Sequence, residues 1–153
     1  MFTAQGNSYQ NTTITNDGFW PDIDVGDFER LRGTPYAQDD ERIANAVLSA
    51  VASVNLQLLK LKTHFEAEGI RQAQDIVATP SIDGKNHVVI QYQTAVFAKA
   101  KADLLPDFAT VHQKKEGDLL AERSAETKNE LLAESERIVR NLLGKTRVTV
   151  DLI

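Results

Sequence analysis

Two aspartates one residue apart, in Phe19-Trp20-Pro21-Asp22-Ile23-Asp24, form a D-x-D pair of the kind that can hold a divalent cation beside phosphates. The same residue types also explain a helix cap, so the pair alone does not argue for a metal. Gly144-Lys145-Thr146 looks like the end of a phosphate-binding P-loop. That motif needs a glycine where Val139 stands, and a helix after the loop rather than before it. His64, His87 and His112 stand far apart and belong to no recognised ligand pattern. No G-x-S-x-G, no S-x-x-K with partners and no paired general acid and base within one element occurs. With no cysteine, thiolate nucleophiles, thiolate metal sites and disulfides are excluded. The residues therefore read as non-enzymatic, with no cofactor and no metal.

Charge and aromatic features remain. Glu122, Glu126, Glu130 and Glu134 stand four apart, and such like charges repel by roughly 0.2–0.5 kcal/mol per pair on a helix. The bland reading is a solvated face; the sharper one is an acidic wall lining a channel through which DNA passes without sticking. Lys60 and Lys62, Lys99 and Lys101, and Lys114 and Lys115 are small basic clusters without the interleaved aromatics of a nucleic-acid reader, and they read as solvated surface. Phe19 and Trp20, at the junction of a polar N-terminal stretch and the body, suit either a core anchor or an interface anchor.

The elements that must position these residues follow from composition and period. The chain has 153 residues, 42% apolar and 25% charged, which suits one globular domain. A net charge of -5 and a pI near 5.2 oppose a large attractive field toward nucleic acid or an anionic membrane. The first residues lack a basic region followed by an apolar run, and nowhere do about 18 apolar residues stand together, so a soluble, unsecreted protein is expected.

Three windows free of helix breakers, residues 36–68, 85–105 and 118–143, each predict a long helix. In the first, Ile43, Val47, Val51, Val54, Leu58, Leu61 and Phe65 hold one helical face. Asp39, Asp40 or Thr34 with Pro35 can start that helix, and Gly69 can stop it. A second stripe, Leu48, Ala52, Leu56 and Leu59, lies about 130° around the same helix, which predicts that it is central or shared with another subunit. Ile82-Asp83-Gly84-Lys85 reads as a turn into a helix from Val88 to Leu105 ahead of Pro106, its alanines permitting close approach. Gly144 ends the third helix. Beyond it Val148, Val150 and Leu152 alternate with Arg147, Thr149 and Asp151 as in a half-buried strand that needs a partner. Asp24 with Asp27 reads as a capped turn that points Phe28 and Leu31 inward. Residues 1–18 carry no period and read as a flexible arm.

The expected fold is mainly α: a small bundle with three long helices, a flexible N-terminal arm (1–18), a helical domain (19–146) and a C-terminal extended arm (147–153).

Three anchors occur in an order that resembles the head completion protein (GPL) family of contractile-tailed phages. They are Phe19-Trp20-Pro21-Asp22-Ile23-Asp24; Ile82-Asp83-Gly84 leading into Tyr92, Ala95-Val96 and Ala100; and Gly144-Lys145-Thr146-Arg147 with the alternating Val148–Ile153 end. The resemblance implies a helical adaptor that binds the portal vertex of the DNA-filled head as a ring of about twelve copies, braces the head and offers a platform to the tail. It implies portal protein, other copies of itself and a tail-side neck or terminator protein as partners, packaged DNA passing nearby, no membrane, and no catalysis. It also implies a place in the virion neck, with assembly in the host cytoplasm. Phe19, Trp20, Pro21, Asp22, Asp24, Arg147, Val148, Val150, Leu152 and Ile153 are the expected interface residues. Glu122, Glu126, Glu130 and Glu134 are the expected channel-facing stripe. A different helical scaffold or regulatory adaptor is the alternative.

Overall fold

The apolar face read at residues 43–58 is buried: Ile43, Val47, Val51, Val54 and Leu58 are at most 4% exposed and form one wall of the core. The computed structural model to which they belong describes residues 8–33, 39–109 and 114–144, and the side chains within them outside 106–109 and 114–126. It is mainly α. Its described elements are β1 (Thr13–Ile14), β2 (Ile23–Asp24), α1 (Val25–Arg32), α2 (Asp40–Gln57), α3 (Leu59–Ala67), β3 (Ser81–Ile82), β4 (Lys85–Asn86), α4 (His87–Ala109) and α5 (Lys114–Leu142), with a 3-10 turn at Ala73–Asp75. No single helix among the described residues is long and apolar enough to cross a membrane.

The window 36–68 is two helices rather than one. Asp39 caps α2, and the chain bends at Leu58, where φ −99 and ψ 11 leave the helical region and α3 departs at 60°. The bend has a packing reason: it keeps Leu61 and Phe65 against the core, with the Phe65 ring 6.4 Å from that of Phe19. Gly69, at φ +85, follows the end of α3 as expected.

The central helix is α4, not α2. It packs against both α2 and α5. Val88, Val89, Tyr92, Ala95, Val96, Phe97, Ala98, Ala100 and Ala102 are all buried, as befits a helix apolar on every side. Small residues permit close approach to α5, where Ser135 Oγ, itself buried, donates to the Ala95 carbonyl at 2.9 Å. The helix runs past Pro106, the expected stop, to Ala109. A proline that near a helix end disturbs only its last turn. Because α4 fills the centre, the second stripe, along α2 into the start of α3, is left open by the described residues: Leu48, Leu56 and Leu59 are 52, 75 and 54% exposed.

Of the expected N-terminal arm, residues 1–7 lie outside the described residues, and residues 8–18 make specific contacts with the body. Ile14 is buried and pairs with Ile23 in the antiparallel β1–β2 ladder. Val25 N–H donates to the Thr12 carbonyl at 2.9 Å, and Gln10 N–H donates to the Glu29 carboxylate at 2.9 Å. Asp24 caps α1 by accepting from Gly26 N–H, as read. A Cβ on Gly26 would stand 2.6 Å from the Gln10 carbonyl oxygen, so only glycine lets this strand lie so close to the helix. Phe28 points inward, whereas Leu31 is 56% exposed, contrary to expectation. An eight-residue helix offers one inward row, and Phe28 with Val25 fills it.

Polar groups lock this N-terminal corner to the helices. The Tyr92 hydroxyl donates to Asn55 Oδ1 at 2.6 Å and accepts from Asn16 Nδ2 at 2.8 Å, while Asn55 Nδ2 donates to Asn16 Oδ1 at 2.8 Å. The triangle joins the N-terminal segment, α2 and α4. Burial, opposed only in part by the Asn16 bond, pushes the Tyr92 hydroxyl far above the usual phenol range, so it stays protonated. Trp20 stacks on the Tyr92 ring at 4.5 Å and 4°. Asp17 accepts from the backbone N–H groups of Phe19 and Trp20 and pairs with Lys62 at 3.1 Å.

Replacing Tyr92 with Phe keeps the stack but removes the donor to Asn55 Oδ1 and one acceptor of Asn16 Nδ2, and should cost about 1–3 kcal/mol in urea unfolding. Partial burial raises the Asp17 pKa, but the hydrogen bonds from Trp20, Lys62 and Phe19 outweigh it and hold the carboxyl below its usual range. A depressed folded pKa contributes stability that is present above the unfolded value of about 3.9 and is lost as pH falls through the folded one. Asp17→Asn should therefore destabilise the protein at pH 7, and the gap from wild type should close as unfolding is repeated at progressively lower pH below about 4.

Candidate functional site

Two of the three sequence anchors, far apart in the chain, meet on one surface. Pro21, Asp22, Ile23, Asp24 and Asp27 form one wall of a cleft of about 420 Å³, and Asp83, Gly84 and Lys85 form the other. Val89 and Gln93 of α4 and Gln74 complete its lining.

Local chemistry builds each wall. On the first, Asn16 N–H donates to Asp22 Oδ1 at 2.8 Å and Asn16 Nδ2 donates to the Pro21 carbonyl at 2.8 Å, while Asp24 caps α1. Asp27, in the first turn of α1, pairs with Arg30 at 3.3 Å. The second wall is the β3–β4 hairpin, whose two-residue loop, Asp83-Gly84, has both residues at positive φ, 48 and 78. That is the twist a tight hairpin needs and the reason for Asp-Gly there.

Asn86 anchors the hairpin. Its buried side chain donates to the carbonyls of Ala73 and Ile76, both at 3.0 Å, and accepts from Val89 N–H at 3.0 Å, which caps α4. Sequence reasoning stopped at the Asp-Gly turn and missed Asn86. Its one available signal was an asparagine immediately ahead of the helical pattern.

Four carboxylates and one ammonium give the cleft a negative balance, and Ile82, 61% exposed, stands beside it on the hairpin. The arrangement suits docking of a basic, partly apolar element. No histidine lines the cleft, and among the described residues no group of three or more His, Asp or Glu side chains is placed to hold a metal.

The other expected residues distribute differently. Phe19 and Trp20 are 4 and 2% exposed, so their rings serve as core anchors and present no surface to a partner. Pro21, Asp22 and Asp24 reach the surface of the cleft. Arg147, Val148, Val150, Leu152 and Ile153 lie outside the described residues, as does His112, and the side chains of Glu122 and Glu126 are likewise outside the description. Glu130 is exposed. Glu134 departs from the stripe: it accepts from Arg32 at 3.0 Å and so ties α1 to α5. Lys101 donates to the Arg32 carbonyl, and burial, then the nearby Arg32 charge, brings its ammonium below the usual range. Lys62, Lys99 and Lys101, read as solvated, are thus tertiary contacts: Lys62 on Asp17, Lys99 on Ser53 and Lys101 at the end of α1. Their long stems let them lie along the body while the ammonium finds an acceptor.

Comparison with known proteins extends the resemblance. Residues 14–153 match the family model of the phage head completion protein (GPL). The probable head completion/stabilization protein of Haemophilus phage HP1 (strain HP1c1) is 34% identical over 158 aligned positions covering all of both chains. The head completion/stabilization protein of Escherichia phage P2 is 29% identical over 140 positions, covering 92% of this chain and 82% of the relative. No solved structure matches. The family match covers nearly the whole chain, both walls of the cleft included, and the chain belongs to the phage head completion protein (GPL) family.

Proposed function

We propose that this head completion protein is an adaptor that binds the portal vertex of the DNA-filled head, as a ring of about twelve copies, and offers a platform to a tail-side neck or terminator protein. It acts in the virion neck after assembly in the host cytoplasm, without catalysis and without a membrane partner. The observation that carries this reading is the shared cleft. Two motif strings about sixty residues apart supply its two walls, and the chain spends glycine, capping and buried-asparagine devices on shaping it.

In this reading the acidic cleft receives a basic element of the portal. The exposed stripe Leu48, Ala52, Leu56 and Leu59 meets a neighbouring copy, and Arg147–Ile153 reaches a neighbouring subunit or the portal as an extended arm. Glu122, Glu126 and Glu130 face the DNA path, whereas Glu134 is kept by its Arg32 partner for the fold.

The test uses heads filled in the absence of this protein and then supplied with purified variants, with DNA retention read by nuclease protection. Asp22→Lys combined with Asp83→Lys gives up the Asn16–Asp22 hydrogen bond and a favoured turn residue, so it should melt somewhat earlier. With the subunit still folded by circular dichroism at the assay temperature, it should lower head protection by at least about tenfold, from the loss of some 1.4 kcal/mol or more of binding. Full protection by that variant would remove the cleft from the interface. Glu130→Ala should leave stability within about 0.5 kcal/mol of wild type, while Glu134→Ala, which breaks a half-buried pair, should cost about 1 kcal/mol in urea unfolding.

A further inference from the structure

At the C-terminal end of α5 lies a second concavity, a groove of about 700 Å³. Leu56, Leu59 and Leu61, at the bend between α2 and α3, form one side, and Leu142, Leu143 and Gly144 form the other. Leu56 and Leu59 are 75 and 54% exposed. Two adjacent large aliphatic side chains open to water on a groove wall mark a site that something covers.

The chain itself supplies a candidate cover. Gly144 lines the groove, and nine residues, 145–153, follow it. At φ +73 Gly144 is left-handed, which stops α5 and turns the backbone off the helix axis at the groove's edge. Nine extended residues reach at most about 30 Å, ample to run along a groove whose lip is their starting point. Their pattern also fits: Val148, Val150 and Leu152 fall on one edge of an extended segment, with Arg147, Thr149 and Asp151 on the other. The groove is lined by no acidic side chain, and Lys60 on its rim offers a cation for Asp151.

We propose that the apolar edge of residues 148–153 docks into this groove of its own chain in the free subunit, covering Leu56 and Leu59. The arm is thereby stored on the body before it is handed to any partner. This inference concerns the isolated protein and stands whether or not the portal is the partner.

The cysteine-free chain makes the test direct. Leu59→Cys with Val150→Cys is oxidised in dilute solution and followed by thiol titration, non-reducing electrophoresis and light scattering; Val77→Cys with Val150→Cys is the control, since Val77 is 99% exposed and outside the groove. The expected result is a monomeric product with an internal disulfide that forms at least tenfold faster in the groove pair than in the control. Leu59 and Val77 are both exposed, and unchanged circular dichroism verifies the fold. Equal rates in the two pairs would overturn the inference. So would cross-linking only between molecules, which would assign the groove to another copy's arm.

Discussion

The three-way hydrogen bond among Asn16, Asn55 and Tyr92 is the constraint on which the rest of the fold depends. It brings together the N-terminal segment, α2 and the central helix α4, and the Trp20 ring lies flat on Tyr92 beside it. A buried polar group without a partner costs about 1–3 kcal/mol, so three side chains that satisfy one another fix a single arrangement where an apolar contact would tolerate sliding. Asn16 also holds the Pro21 carbonyl and the Asp22 carboxylate. The same residue that locks the core therefore sets one wall of the cleft.

Stability and recognition are divided along this frame. The apolar payload sits on α4 and the faces turned toward it, while the negative cleft lies where α1 and the β3–β4 hairpin meet the start of α4. The apolar groove lies at the C-terminal end of α5, lined by Leu142 and Leu143. An acidic recess gives orientation and partner selection, and an apolar groove gives contact area, so the molecule keeps both kinds of surface on one small body.

Much of this was legible from local pattern. The stripe from Ile43 to Leu58 is buried, Asp24 and Gly144 cap the elements they were read to cap, and Asp83-Gly84 makes the tight turn. Each is set by a few neighbouring residues. What escaped depends on partners distant in sequence. Asn16 and Tyr92 are 76 residues apart, Asn16 and Asn55 are 39 apart, and nothing near any of them announces the bond. The bend at Leu58 arises because Phe65 must meet Phe19, and Glu134 left the acidic stripe because Arg32 lies opposite it. Residues 8–18 have no hydrophobic period, yet one buried Ile14 and a set of backbone bonds suffice to hold them. The cleft was half legible: its residues carry recognisable strings, but their meeting is a property of the tertiary fold.

The central claim, that this family member is a portal adaptor, is tested most directly by mass. Light scattering on a sizing column would be applied to the purified protein alone, to its cognate portal assembly alone, and to the two mixed. The account predicts that the mixture elutes as one larger species whose added mass corresponds to many copies of the 17.0 kDa chain. Two species eluting at their separate positions with unchanged masses would contradict it.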